Sequence, residues 1–341
     1  MVELRIILVG FGVVGQSLAR ILLQRRPELV RSYGFNPKVV AVVDKGGAAV
    51  NMRGLDLEEI LSLKVKEGTV AASRDGRPDL SALEVIESVE AEVMVEVTPT
   101  NIKDGEPGLS HIKSAFRTGK SVVTTNKGPL ALALPALTEL AEYSGVQLRF
   151  SGTVGAGTPI LDLAKKCLLG DRIISIRGVL NGTTNYILTE MEEKHISFHQ
   201  ALKDAQRLGY AEANPSMDVD GLDTACKIVI MANWIMGRKV TLKDVKIEGI
   251  RNVTREDLEE ASRRGRTIRL LGFIDKDLKV APTEISKGDP LAVKGVLNAV
   301  TFTSEFTGEE TIIGRGAGGM ATASAVLRDL INIKEALSST L

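Results

Sequence analysis

The chain has 341 residues, with 43 Lys and Arg against 43 Asp and Glu, so its formal charge is zero. That length exceeds one typical core and suits two or three domains, and the even balance excludes the basic excess of a nucleic-acid binder. The longest uncharged runs fall short of the ~18–20 residues that span a bilayer, and no basic, apolar, small-residue leader opens the chain.

Residues 4–9 (LRIILV) are an apolar, β-branched run of buried-strand length. Gly10, Phe11, Gly12, Val13, Val14 and Gly15 follow as G-F-G-V-V-G and lead into an amphipathic helix, SLARILLQR. Strand, G-x-G-x-x-G, helix is the context in which this motif cradles a dinucleotide pyrophosphate on helix amides; the bland alternative is a Gly-rich turn with no ligand. A second strand, VVAVVD, ends at Asp44, where an acid normally binds the adenosine ribose hydroxyls. Lys45 follows at once, and Arg53 and Lys64 lie on the segment leading away. Lys45 is therefore either a ligand for a 2′-phosphate or a solvated loop lysine. Asp56 and Glu59 mark the start of a short helix over 56–63, and a helix near 81–88 precedes the buried strand EVMVEVTPT. LSHIKSAFRTG is a helix closed by Gly119, and KSVVTTNKGP is a strand that puts Lys127 at the carboxyl edge of the same sheet. A helix, LALALPALTELAEYSG, and a strand, VQLRFSG, take this β-α-β pattern to about residue 150.

SGTVGAGTPI is dense in glycine, and is either a hinge or a lining of backbone carbonyls. LDLAKKCLLG reads as a helix and IISIRGVL as a strand; Thr183, Thr184 and Asn185 then cap a helix or face a ligand, and ISFHQALKDAQRLG is helical from a Ser197/Gln200 box. Residues 241–313 alternate as antiparallel strands do, with a helix over 254–264, and a Gly-rich turn leads to a long closing helix. His195 and His199 sit at i and i+4, but no acid follows in metal-site spacing, so they read as a surface pair. Cys167 and Cys226 lie in apolar helical contexts without CxxC spacing, as core thiols of a reducing, cytoplasmic compartment.

The stretch Leu208–Gly237 organises the rest. Its second half has helix length and is apolar on nearly every side, which marks a buried helix. Yet from Asp223 onward it carries Asp223 and Lys227, at i and i+4 on one face. An exposed pair of this kind is worth about 0.3–0.5 kcal/mol. On a buried helix the same ions cost several kcal/mol unless paired and hydrogen-bonded, so both charges are expected to point into a polar cleft. Glu212, Asp218 and Asp220 precede them in a loop bent by Gly209, Pro215 and Gly221. Carboxylates and a lysine at the mouth of a buried helix suit a small zwitterionic substrate.

Taken together, GFGVVG, TTNKGP, SGTVGAGTPI, LNGTTNYIL, LGYAEANPSMDVDGLDTACK and GRGAGGMATASAV make the chain resemble homoserine dehydrogenase over nearly its whole length. The resemblance implies NAD(P)-dependent interconversion of L-homoserine and L-aspartate 4-semialdehyde. Its fold would be α/β, a Rossmann-type nucleotide-binding domain of residues 1–134 plus 314–341 with an α+β substrate and dimerisation region over 135–313. It implies that Lys227 and Lys127 flank the reacting oxygen, that Glu212 and Asp223 hold the substrate's amino end, and that Thr98, Lys127 and Gly318 join the glycine loop around the cofactor. The carbonyls of Ser151, Val154, Ala156 and Thr158 would ring a monovalent cation, usually sodium; the family often has glutamate where Ser151 stands. A homodimer is implied, and no regulatory domain is expected after Leu341.

The chemistry fits these residue types. Oxidising an alcohol requires hydride transfer to a nicotinamide and removal of the hydroxyl proton, which a lysine performs when burial or a neighbouring cation lowers its pKa. Two other classes compete. A cysteine-dependent aldehyde dehydrogenase needs a thiol with a nearby base, and neither cysteine has one in sequence. A nucleotide-sensing protein without catalysis needs a partner-binding element such as a helix-turn-helix or basic arm, which the sequence does not display. NADP is expected to bind more tightly than NAD if Lys45 reaches the phosphate and Asp44 turns aside.

Overall fold

A computed structural model describes residues 2–339. Among them no helix is long and apolar enough to cross a membrane. The chain divides into two compact units, one of residues up to Thr153 and from Gly318 onward, the other of Val154–Ala317.

The first unit is built on strands whose side chains are apolar on both faces, the signature of a parallel sheet covered by helices. Its elements run β1 (Val2–Val9), α1 (Val13–Tyr33), β2 (Phe35–Asp44), β3 (Gly47–Val50), α2 (Leu57–Glu67), β4 (Gly76–Arg77), α3 (Ala82–Ser88), β5 (Val93–Glu96), α4 (Gly108–Arg117), β6 (Ser121–Thr124), α5 (Lys127–Tyr143) and β7 (Leu148–Arg149). The strand order is β4-β3-β2-β1-β5-β6-β7. β2, β1, β5, β6 and β7 are parallel, and β3 and β4 extend the sheet antiparallel through a tight hairpin after Asp44. Order reverses around β1, which has β2 on one side and β5 on the other; ligands bind beyond the carboxyl ends of strands at such a point. The helix starts read from sequence are present: Asp56 caps α2, and Ser81 with Glu84 forms a capping box on α3.

The second unit runs α6 (Ile160–Asp162), β8 (Ile173–Val179), α7 (Gly182–Lys194), α8 (Phe198–Arg207), α9 (Ser216–Val219), α10 (Leu222–Met236), β9 (Val245–Ile247), α11 (Arg255–Arg263), β10 (Arg266–Ile274), β11 (Leu278–Ser286), β12 (Leu297–Ser304) and β13 (Gly308–Arg315). Its sheet order is β13-β12-β8-β10-β11-β9. The strands expected to be antiparallel are so, and only β9 joins parallel, beside β11. α10 is buried without interruption from Asp223 to Asn233, as its all-round apolar sequence requires. The chain then returns to the first unit as α12 (Gly319–Ser339), whose Ala323, Val326, Leu327, Leu330 and Ile333 share a core with Leu4, Ile6, Leu8 and Leu18.

Three expectations change. Residues 135–153 belong to the first unit, because they are the body of α5 and the strand β7 that pairs with β6. Residues 314–317 belong to the second, because Gly314 and Arg315 end β13 in register with β12. LDLAKKCLLG is not one helix: α6 gives way to a π-helical turn over Leu163–Cys167, and Cys167 is exposed rather than in the core, while Cys226 is buried. The wider turn breaks the 3.6-residue periodicity that would have carried the thiol inward.

α10 reaches the sheet because β10 offers no side chain at Gly272. A Cβ there would lie 2.6 Å from Ile228 Cγ2 and 3.2 Å from Thr224 Cγ2. Gly272→Ala is expected to overpack this contact and to cost about 1–3 kcal/mol. Urea unfolding checks it: the midpoint falls while the slope stays unchanged.

Candidate active site

In the first unit, the glycine loop is wedged between two strand ends. Gly10 N donates to Val43 O at 2.9 Å. Gly10 has φ 100°, and a Cβ on it would lie 2.8 Å from the Val97 carbonyl carbon. Only glycine fits. Phe11 is buried, Gly15 lies under the loop and Val14 packs partly on the core, whereas Val13 is exposed. A Cβ on Gly12 would meet nothing within 4 Å, and no side chain caps α1. The first amides of α1 therefore have no side-chain acceptor, the arrangement that takes a phosphate. The start of α12 abuts this loop, since a Cβ on Gly319 would lie 2.4 Å from Val13 Cγ1, which brings the exposed Gly318 beside it.

Thr98 and Lys127 are tied to one buried carboxylate that sequence reasoning passed over. Glu96, fully buried at the end of β5, accepts from Thr98 N at 3.1 Å, from the Thr98 hydroxyl and from Thr124 Oγ1 at 3.0 Å. Asn126 Nδ2 donates to Thr98 Oγ1 at 3.3 Å, and Asn126 Oδ1 caps α5, on which Lys127 is the first residue. A glutamate inside an apolar strand was the available signal.

Asp44 does not point outward. Its carboxylate accepts from Gly46 N at 2.8 Å, Thr69 Oγ1 at 2.9 Å, Lys64 Nζ at 2.7 Å and Val70 N at 2.9 Å. Burial alone would raise its pKa, but the Lys64 ammonium and the other donors outweigh that and hold it below the ordinary value. Lys45 stands exposed at the hairpin tip between Asp44 and Gly46.

In the second unit, Lys227 is buried on α10 and its Nζ lies 2.6 Å from Leu180 O and 2.7 Å from Asp223 Oδ2. An ammonium has three donors, so these contacts leave one for a substrate oxygen. Asn181 Nδ2 bridges Asp223 Oδ2 at 2.9 Å and Asp218 Oδ1 at 2.6 Å, while its Oδ1 caps α7 at Thr184 N. Asn298 Nδ2 donates to the same Leu180 carbonyl at 2.9 Å. The structure thus brings Asp218, Asp223 and Lys227 together, and adds Asn181, Leu180 O and Asn298. Asn181 is visible in sequence only as a helix cap, and nothing marks Asn298 within its strand. Thr183 donates to Tyr210 O at 2.7 Å, and Asn185 is buried, donating to the carbonyls of Val293, Gly295 and Leu297. Glu212 is exposed in the loop, where its main-chain carbonyl accepts from Gln206 Nε2 at 3.0 Å.

Among the described residues no cluster of His, Cys, Asp or Glu could hold a metal, so a cation would depend on main-chain oxygens. Gly155 (φ 81°) and Ala156 (φ 49°) are both left-handed, which turns successive carbonyls out of line. Val154 and Ala156 are buried, and among the described residues no donor reaches their carbonyls. The Thr158 carbonyl accepts from Ile160 N at 2.8 Å. In the first unit, Ser151 donates through N and Oγ to Asp329 at 2.8 and 2.7 Å.

Two family models match: one described as homoserine dehydrogenase, NAD binding domain, over residues 10–151, and one as homoserine dehydrogenase over residues 159–331. The homoserine dehydrogenase of Methanocaldococcus jannaschii is 47% identical over 96% of this chain and 98% of its own. The NAD(+)-dependent homoserine dehydrogenase of Pseudomonas canavaninivorans is 39% identical over 98% of this chain and 97% of its own. Among solved structures, a putative homoserine dehydrogenase of Archaeoglobus fulgidus superposes with a TM-score of 0.89 at 40% identity, covering 97% of this chain and 99% of that one. A hyperthermophilic archaeal homoserine dehydrogenase in complex with NADPH superposes with a TM-score of 0.87 at 31% identity, over 98% of each chain.

Asp218 gives the second unit a pH signature. Burial, reinforced by the Asp223 charge, raises its pKa above the ordinary carboxylate value despite the Asn181 bond and the Lys227 charge. The folded chain then binds more protons than the unfolded one, so stability present below the unfolded pKa is lost as pH rises through the folded pKa. Asp218→Asn keeps an acceptor for Asn181 and removes that loss. Thermal melts from about pH 4 to pH 7 are expected to show the variant gaining on wild type as pH rises.

Proposed function

This chain belongs to the homoserine dehydrogenase family, an NAD(P)-dependent oxidoreductase acting on homoserine, and on that premise we propose how its residues divide the reaction. Lys227 is the proton-transfer group. The single observation that carries this assignment is its burial with one donor left over, the other contacts being Leu180 O and Asp223. The nicotinamide cofactor supplies the hydride acceptor or donor. As an ammonium, Lys227 gives its proton to the oxygen of the semialdehyde as that carbonyl is reduced; neutral, it takes the hydroxyl proton of homoserine. Asp223 orients the amine and, with Glu212, holds the substrate ammonium; Asp218 extends the negative field through Asn181. Lys127, at the start of α5, is a second lysine of the reaction.

Gly10–Gly15, Thr98, Lys127 and Gly318 bind the cofactor, supported by the uncapped start of α1 and the Glu96–Thr98–Asn126 ties. NADP is favoured over NAD: Lys45 at the hairpin tip takes the 2′-phosphate while Asp44 faces inward. A sodium ion is held by the carbonyls of Ser151, Val154, Ala156 and Thr158, a reading supported by the undonated carbonyls of Val154 and Ala156. The protein acts in the cytoplasm as a homodimer built on the second unit's sheet, whose edge strand β13 exposes Glu309, Ile313 and Arg315.

Lys227→Ala is expected to lower kcat by about 10²–10⁴-fold while cofactor binding persists. Initial rates from nicotinamide absorbance with homoserine, beside cofactor titrations, check both parts; rates within a few-fold of wild type would remove Lys227 from the chemistry. Lys45→Ala is expected to weaken NADP+ by about 10–100-fold, the value of a charge-assisted phosphate contact, and to leave NAD+ unchanged. Calorimetric titration of both oxidised cofactors reads it directly.

A further inference from the structure

A carboxylate offers about four lone-pair positions. At Asp44 all four are taken, two donors on each oxygen. Oδ1 accepts from Gly46 N and Thr69 Oγ1, and Oδ2 from Lys64 Nζ and Val70 N, at 2.7–2.9 Å. The side chain is 4% exposed. Its donors come from separate places: the β2–β3 turn, the last turns of α2 and the 3₁₀ turn that follows. Each is itself fixed. Lys64 Nζ also donates to Gly68 O at 2.6 Å, Thr69 caps the 3₁₀ turn at Ala71 N, and a Cβ on Gly46 would lie 2.3 Å from Thr69 Oγ1. Meanwhile the backbone puts this residue where an adenosine ribose is read, since Val43 O, its neighbour, accepts from Gly10 N of the glycine loop.

Ribose recognition by an acid requires free acceptor positions facing the hydroxyls. Here a ribose would have to displace bonded donors from a buried group. The same contacts remove the other effect of the acid: an ammonium 2.7 Å away neutralises the charge that would repel a 2′-phosphate, and Lys45 is left as the net charge of the tip.

We propose that Lys64 and Thr69 are specificity-determining residues of this enzyme: they latch Asp44 inward, so that an acid placed as in an NAD site is withheld from the ribose. The inference rests on the reading that the adenosine ribose lies beside the β2 end, and deepens the NADP preference without depending on Lys45. Neither residue touches the reacting atoms. Both act through Asp44, and releasing the latch turns the site toward NAD.

The test is a set of cycles on the full-length protein. Thr69→Val and Lys64→Met are each made in wild type and in an Asp44→Asn background, and NAD+ and NADP+ affinities are measured by calorimetry. Thr69→Val is expected to shift the ratio of NADP+ to NAD+ affinity toward NAD+ by about tenfold, and Lys64→Met by more, as one or more charge-assisted bonds are freed for the ribose. Both shifts should vanish when Asp44 is Asn, which a general loss of structure would not produce. Thr69→Val keeps every charge and decides the matter if Lys64→Met does not fold. An affinity ratio unchanged within a few-fold in folded Thr69→Val overturns the proposal. So does a Lys64→Met variant that loses NADP+ affinity equally in both backgrounds, since Lys64 would then be a phosphate ligand. So does an Asp44→Asn variant that by itself weakens NAD+ tenfold, since the carboxylate would already read the ribose. Failure of Lys45→Ala to weaken NADP+ removes the phosphate assignment alone and leaves these outcomes as they stand.

Discussion

An ammonium inside an apolar helix must be answered by partners, and the second unit is arranged around that requirement. Removing one member of a buried ion pair costs about 3–5 kcal/mol, so the positions that hold Lys227 are also structural. Leu180 follows β8 and offers its carbonyl to Lys227 from one side and to Asn298 of β12 from another. Asn181, the next residue, starts α7 and joins two carboxylates. A single β8–α7 junction therefore fixes a strand, a helix start and the buried amine of Lys227. Moving any of them disturbs the others.

The first unit obeys a different constraint, the crowding of backbone at the end of β1. Gly10 is held against Val43 and Val97, so the strands on both sides of the switch point come within contact of one residue. Two polar side chains sit one residue further on, Asp44 after Val43 and Thr98 after Val97. Their orientation is then settled by polar neighbours, the buried Glu96 for Thr98 and the half-buried Lys64 and Thr69 for Asp44.

Much of this was legible in sequence because it follows local rules. The G-F-G-V-V-G turn, the caps at Asp56 and Ser197, and the all-round apolar run of α10 each depend on residues a few positions apart. The Asp223–Lys227 pair was legible for the same reason. What escaped depends on long-range pairing. Asn298 reaches Leu180 from another strand, Asp44 is turned inward by Lys64 and Thr69, and Glu96 takes a bond from Thr124 on the neighbouring strand. The π turn ending at Cys167 escaped because its composition is that of an ordinary helix. Glu212 keeps the spacing of its motif yet lies exposed, since spacing fixes order along the chain and not which way a loop side chain faces.

The return of α12 bears on how the protein is made. Synthesis runs from the N-terminus at about 5–20 residues per second, and β1 and α1 emerge early. The apolar side chains that cover Leu4, Ile6, Leu8 and Leu18 from α12 emerge after the whole of Val154–Ala317. The nucleotide unit therefore waits with part of its core bare, while the inserted segment, continuous in sequence, can close its own sheet on the ribosome. Loop-closure entropy adds little to this delay, since it grows only with the logarithm of length. The larger effect is kinetic: a nascent chain with a greasy flank open to holdase chaperones, and a cofactor cradle that matures last although its glycine turn is among the first residues made.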